Sequence, residues 1–303
     1  MGTPSFAVPC LEKLLKSEDE VVAVFTQPDK KVGRKQTLTA PPVKELAQRA
    51  GISVHQPTSL RSDESVELIA SLRPDLIVVV AYGKILPKAI LELPPLGCVN
   101  VHGSLLPKSR GAAPIQWSVI NGEAVTGVTT MYMDEGLDTG DMILKSETPV
   151  GREEPSGELF ERLSVMGADL LVETIEKIKL GCAPREKQND AEATYAPMLD
   201  KSLSNINWGE SAEKIHNLVR GLNPWPVAAT TLEGKALKIY KTRLFEPREG
   251  TQPGQIISVN PFVVSCGGGT ALEILEVQME SKKRMSAEDF CRGCKLEVGT
   301  VLG

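Results

Sequence analysis

No apolar run in this sequence approaches the roughly 18 residues that a membrane-spanning helix requires. No G-x-G-x-x-G and no P-loop follows any of its candidate strands, which argues against a dinucleotide or nucleoside-triphosphate site. No G-x-S-x-G elbow occurs either, which argues against a serine hydrolase. Histidine is scarce, with three among 303 residues: His55, His102 and His216. The first residues, MGTPSFAVPCLEKLLKSEDE, lack the basic stretch and apolar core of a secretory signal, so a cytoplasmic location is expected. The six cysteines are scattered. Cys291 and Cys294 have C-x-x-C spacing, but a structural zinc needs a second ligand pair and none is near, so reduced thiols are expected. There is no internal repeat and no low-complexity segment.

The formal net charge of −5 is the wrong sign for a protein that coats nucleic acid without selectivity. The charge is uneven, however. Residues 1–200 hold 21 Lys+Arg against 28 Asp+Glu, net −7, whereas residues 201–303 hold 13 against 11, net +2. A basic patch with a specific RNA partner is left open.

What is present is an alternation of strand-like and helix-like segments over the first two-thirds of the chain. The valine-rich runs at 20–27, 75–83 and 97–102 do not alternate with polar residues, which suits strands buried on both faces of a parallel sheet. Helical patterns lie between them at 41–51, opened by prolines, and at 62–74, with Ser62 as the candidate cap. Further on, 112–123 reads as a helix, 127–134 and 142–150 as strands, and 155–179 as a long helix broken at Gly167. The class is α/β, doubly wound. Such a domain normally opens with a strand, yet MGTP resembles a strand-to-helix turn with Thr3 as cap and Pro4 in the first turn. The usual first strand is therefore expected to be missing from the sheet. Around 181–207 the periodicity fades into a linker. Beyond it come a short helix at 211–222 and five strand-like segments with Gly-rich punctuation, the pattern of a small β-barrel.

Ligands of doubly wound sheets bind at the carboxyl ends of the strands. The run 97-GCVNVHGSLLPKSRG-111 delivers Asn100 and His102 to such an end, on one side of the strand. An amide and an imidazole there suit oxyanion stabilisation and proton transfer. The bland alternative is a histidine that merely closes the strand. The segment 134-DEGLDTGDMIL-144 sets four carboxylates, Asp134, Glu135, Asp138 and Asp141, around Gly136 and Gly140. A carboxylate held near His102 would orient the ring and favour its charged form; an ordinary acidic turn is the alternative. The register does not fit a calcium loop, and no metal is expected. A third stretch, 28-PDKKVGRKQTLTAPP-42, carries Lys30, Lys31, Arg34 and Lys35. It is either a solvated surface loop or a grip on polynucleotide phosphates.

Taken together, these stretches resemble one family, the folate-dependent formyltransferases. The resemblance is carried by MGTPSFAVPCL, QPDKKVGRK, APPVKELA, VVVAYGKILP, NVHGSLLPKSRGAAPIQW and TTMYMDEGLDTGDMI, then by INW and GLNPWP. It spans nearly the whole chain, and NVHGSLLPKxRG joined to GLDTGD is its specific part. It implies a Rossmann-like formyltransferase domain with a parallel-rich sheet over 1–180. A linker over 181–207 and a small OB-like, tRNA-binding β-barrel over 208–303 would follow. It makes Asn100, His102 and Asp138 the catalytic trio. Ser104, Leu105, Leu106 and Pro107 would line the site of the co-substrate 10-formyltetrahydrofolate, with Tyr82, Gly83, Ile85 and Leu86 from a neighbouring strand end. Lys30, Lys31, Arg34 and Lys35 would meet the acceptor end of methionyl initiator tRNA, the partner implied, and a monomer is expected. The rival readings are formyl transfer to a small amine, such as glycinamide ribonucleotide or an amino sugar nucleotide, and a non-catalytic RNA-binding protein.

Overall fold

The computed structural model describes residues 1–33, 36–247 and 250–303, which divide into two compact units. Unit 1 holds Met1–Pro114, Thr126–Thr148 and Phe160–Ala196; unit 2 holds Ile115–Val125, Pro149–Leu159 and Pro197–Gly303. The chain runs through α1 (Val8–Leu14), β1 (Val24–Phe25), β2 (Lys30–Val32), β3 (Thr37–Thr39), α2 (Pro42–Arg49) and β4 (Val54–His55). It continues through α3 (Asp63–Ser71), β5 (Ile77–Val79), α4 (Lys88–Leu91), β6 (Cys98–His102), β7 (Arg110–Gly111) and α5 (Pro114–Ile120). Then follow β8 (Val125–Tyr132), β9 (Met142–Pro149), α6 (Ser156–Lys179) and β10 (Tyr195–Ala196).

Local chemistry accounts for the helix starts. The Ser62 side chain accepts the Ser65 N–H, with Asp63 and Glu64 in the first turn of α3, so a cap and two favourable charges coincide there. Pro42 opens α2, where a missing N–H costs nothing. Among the described residues, no helix is long and apolar enough to cross a membrane.

The main sheet of unit 1 has the order β5-β6-β8-β9, and all five residues of β6 are buried. β5 and β6 are parallel, Val79 opposite Asn100, whereas β8 runs antiparallel to β6, His102 opposite Thr129. The sheet is thus mixed. Among the described residues β1 pairs with β4 alone, in parallel, as a separate two-stranded sheet. Where an opening strand would run, Met1 and Gly2 bridge the two: Gly2 N–H donates to Phe25 O at 3.0 Å and Val80 N–H to Met1 O at 2.9 Å. A cavity of about 470 Å³ adjoins them, lined by Met1, Cys10, Val24, Val78 and Ile175 among others. Burial pushes the Met1 amine down to about 6.

The expected break at Gly167 is absent, since α6 is continuous over 24 residues. A Cβ at Gly167 would lie 2.8 Å from Val101 Cγ1. Glycine therefore serves close approach of the helix to β6 rather than a bend, at the modest helix-propensity cost of that residue.

Unit 2 is built from α7 (Ala212–Gly221), β11 (Ala228–Leu232), β12 (Lys235–Phe245), β13 (Ile256–Val259), β14 (Phe262–Ser265), β15 (Ala271–Met279), β16 (Met285–Ser286) and α8 (Ala287–Gly293). The strands form an antiparallel sheet in the order β11-β12-β15-β14-β13, with β16 beside β15, a barrel-like arrangement. Gly267–Gly269 makes the turn between β14 and β15, Gly268 at φ 67°. The barrel-type punctuation of the sequence thus coincides with real strand ends.

Candidate active site

The pleat of β6 puts Asn100 and His102 on one side of the strand, and both are buried. His102 Nε2 lies 3.0 Å from the carbonyl oxygen of Ser109, which can only accept, so the Nε2 proton is fixed there. That leaves Nδ1, which lies 3.7 Å from Asp138 Oδ2. The separation exceeds a direct hydrogen bond. Nδ1 is consequently the ring nitrogen free to meet a reacting group, with a carboxylate beside it.

Asp138 is held by its backbone as well as its side chain. Its φ is +55°, a left-handed value uncommon outside glycine but tolerated by Asp. Its Oδ2 accepts the Gly111 N–H at 2.8 Å, and its carbonyl accepts Gln188 Nε2 at 2.8 Å. Gly140, two residues on, lies so close to β8 that a Cβ would sit 1.8 Å from Tyr132 O. The other three carboxylates of the segment have different duties. Asp134 Oδ1 accepts from Gly136 N–H at 3.0 Å and Thr139 Oγ1 at 2.7 Å. Glu135 faces Lys88 at 3.9 Å, and Asp141 faces Arg185 at 4.0 Å. Only Asp138 reaches His102. Among the described residues, no group of three or more His, Cys, Asp or Glu could hold a metal ion.

The residues expected around the co-substrate fall into two sets. Ser104 spends its hydroxyl on Lys108 O at 2.7 Å, and Leu106 is buried against Met131 and Met142. Tyr82 and Leu86 are likewise side chains of the core, packed with Phe25, Ile77 and Ile90. Among the described residues Tyr82 Oη has no hydrogen-bond partner, and burial pushes its phenol up to about 12. Its carbonyl instead accepts from Thr3 Oγ1 at 3.0 Å and Gln27 Nε2 at 3.1 Å. All four are buried and shape the strand ends. Gly83, at φ +82°, supplies the turn. Ile85 is 60% exposed, and Leu137, beside Asp138, is 55% exposed. The Lys88–Glu135 ion pair brings their two loops together. Leu105 and Pro107 are half-buried.

Lys30 and Lys31 do not lie in an irregular loop. They form β2, paired antiparallel with β3 in a hairpin, Lys30 opposite Thr39 and Lys31 opposite Leu38. Both lysines are exposed, as are Val32 and Leu38. Asp29 anchors the hairpin base: Lys44 Nζ donates to both its oxygens at 2.8 Å, and Gln56 donates at 2.9 Å. Those bonds hold its carboxyl below the usual range, Lys44 contributing most. Arg34 and Lys35 lie outside the described residues.

Sequence reasoning missed the residues that tie the site together. Residues 182–196, expected within a linker, instead belong to unit 1. Glu186 and Met142 exchange backbone hydrogen bonds at 2.8 and 3.0 Å, and β10 pairs in parallel with β7. Arg110, buried, donates to Gln188 Oε1 at 3.0 Å and Asp190 Oδ1 at 2.8 Å. Ser109 N–H donates to Thr194 Oγ1 at 2.8 Å. A polar strap without periodicity carries no sequence signal of where it docks, and the burial of Arg110 that calls for these acceptors is visible only in the fold.

Comparison with known proteins decides the family. The family model described as formyl transferase matches residues 1–175, and that of the formyl transferase C-terminal domain matches residues 198–295. The chain belongs to the formyltransferase family. Among its relatives, the methionyl-tRNA formyltransferase of Acetivibrio thermocellus is 51% identical over 306 residues, covering 100% of this chain and 98% of the relative. The methionyl-tRNA formyltransferase of Alkaliphilus oremlandii is 53% identical with the same coverages. Among solved structures, the sugar 3N-formyl transferase WlaRD, in the presence of dTDP and 5-N-formyl-THF, superposes with a TM-score of 0.67 at 20% identity, covering 93% of this chain and 97% of that one. HypX from Aquifex aeolicus, in complex with tetrahydrofolic acid, gives 0.60 at 16% identity over 88% of this chain and 46% of that one. At such identities the likeness is one of fold alone.

Proposed function

We propose that this chain transfers the formyl group of 10-formyltetrahydrofolate to the α-amine of methionyl initiator tRNA, in the cytoplasm, as a step towards translation initiation. The observation that carries the chemistry is the meeting of His102 and Asp138, from segments far apart in the chain, beside Asn100 on the same strand. The identity of relatives over both units carries the choice of acceptor.

The unprotonated amine attacks the formyl carbon, a C–N bond forms, and the carbonyl oxygen takes up the electron pair. The Asn100 amide donates to that oxygen; one such donor is worth about 2.7–4 kcal/mol in comparable sites. His102 Nδ1 accepts the amine's proton and passes it to the departing N10 nitrogen as the N10–formyl bond breaks. Asp138 stabilises the imidazolium formed between those two transfers. Ile85, Leu105 and Leu137 offer apolar surface to the pterin, while Lys30 and Lys31 offer charge to tRNA phosphates.

The test is single-turnover formylation of methionyl initiator tRNA by the purified chain, with the His102→Ala variant alongside. The parent should transfer and the variant should be slowed by orders of magnitude while remaining folded. Equal rates would remove His102 from the mechanism.

A further inference from the structure

The strap of residues 182–196 crosses unit 1 at the point where the two halves of the candidate site meet, and one side chain in it touches both halves. We infer that Gln188 is a positioning residue that fixes the spacing between His102 and Asp138. The inference rests on the proposed roles of those two residues.

The side-chain amide of Gln188 makes three hydrogen bonds. Its Nε2 donates to the carbonyls of Asp138 at 2.8 Å and Gly140 at 2.9 Å, and its Oε1 accepts Arg110 Nε at 3.0 Å. The orientation is forced, because carbonyls only accept and a guanidinium only donates. The Asp138 carbonyl so clamped belongs to a residue at φ +55°, where the backbone has no strong preference of its own to stay. On the other side, Arg110 sits between Ser109, whose carbonyl holds His102 Nε2, and Gly111, whose N–H holds Asp138 Oδ2. Gln188 is thus a brace from the segment that orients the imidazole to the loop that presents the carboxylate.

Neither glutamate nor methionine supplies this pattern. Glutamate keeps the length and the acceptor for Arg110 but has no hydrogen for the two carbonyls and sets a charge against them. Methionine keeps the length and shape and makes none of the three bonds. Both changes leave the side chains of Asn100, His102 and Asp138 and the exposed residues proposed to meet substrate in place, and act on Asp138 through its carbonyl alone.

The experiment compares the parent chain with Gln188→Glu, Gln188→Met and, as a control on the underlying reading, Asp138→Asn. It measures kcat, KM for tRNA and folate, the pH profile of kcat/KM, and the thermal midpoint. Both Gln188 variants should lower kcat about 10- to 100-fold, the scale of a small misplacement of reacting groups. Both KM values should stay close to the parent's, and the limb of the pH profile that reports His102 should shift. If the Gln188 variants keep parental kcat and pH profile while Asp138→Asn is inactive, the brace is refuted and the trio stands. If Asp138→Asn is itself active, the trio falls and the brace with it. A loss of activity that follows the folded fraction alone, with an unmoved pH profile, would make Gln188 structural and overturn the inference. Should Gln188→Glu fail to fold, Gln188→Met decides by the same criteria.

Discussion

Replacing Asp138 by Asn removes one charge and almost nothing else. The Asn Oδ1 can still accept the Gly111 N–H that now donates to Asp138 Oδ2 at 2.8 Å. The backbone clamp from Gln188 does not involve the side chain. The fold and the loop should therefore persist. What is lost is the attraction between the carboxylate and the imidazolium formed during proton transfer, 3.7 Å away, with His102 6% and Asp138 13% exposed. At an effective dielectric of about 20, a unit pair at that distance is worth about 4.5 kcal/mol. At about 1.4 kcal/mol per decade, that predicts a fall in kcat of about 10³-fold. Single-turnover formylation at saturating folate and tRNA reads this directly, with circular dichroism and the thermal midpoint confirming that the variant is folded. A kcat within about tenfold of the parent would put the pair's contribution below about 1.4 kcal/mol and refute the reasoning.

Three further outcomes are expected. Replacing Lys30, Lys31, Arg34 and Lys35 together by Ala should raise KM for tRNA and reduce the slope of log KM against log salt by up to about 3; a change confined to KM for folate would contradict the phosphate role. Thiol labelling of the folded chain should modify exposed Cys182 and spare Cys10, Cys98 and Cys266, whose thiols burial pushes up to about 12, so early labelling of those three would show the core to be open. Gly167→Ala would place a methyl 2.8 Å from Val101 Cγ1 and should lower stability by about 1–3 kcal/mol, as measured by urea denaturation; an unchanged midpoint would show that α6 and β6 have slack between them.

The legible parts of this chain were those with a local physical cause. Valine runs became β1, β5 and β6, the Ser62 cap opened α3, and the glycine-punctuated strands of unit 2 fell close to their expected positions. The chemistry of the site was legible from residue type, because Asn100 and His102 share a strand face by pleat alone. What escaped was set by distant contacts. The docking of 182–196 depends on acceptors that Arg110 finds only in the folded unit, and Gly167 answers to a Val101 that is 66 residues away in sequence. Tyr82 and Leu86 sit beside Gly83 and Ile85 in sequence, yet only the latter face outward. Strand-end geometry decides that division, and no local pattern announces it.

Acceptor competition tests the central claim most directly. The purified chain is given 10-formyltetrahydrofolate carrying a labelled formyl group, together with methionyl initiator tRNA, an amino sugar nucleotide and glycinamide ribonucleotide in one mixture. The label is then followed into each acceptor. Label on the methionyl amine of the tRNA, with the small amines unmodified, is the predicted result. Label on a small amine with none on the tRNA, or no transfer to any acceptor, would contradict it.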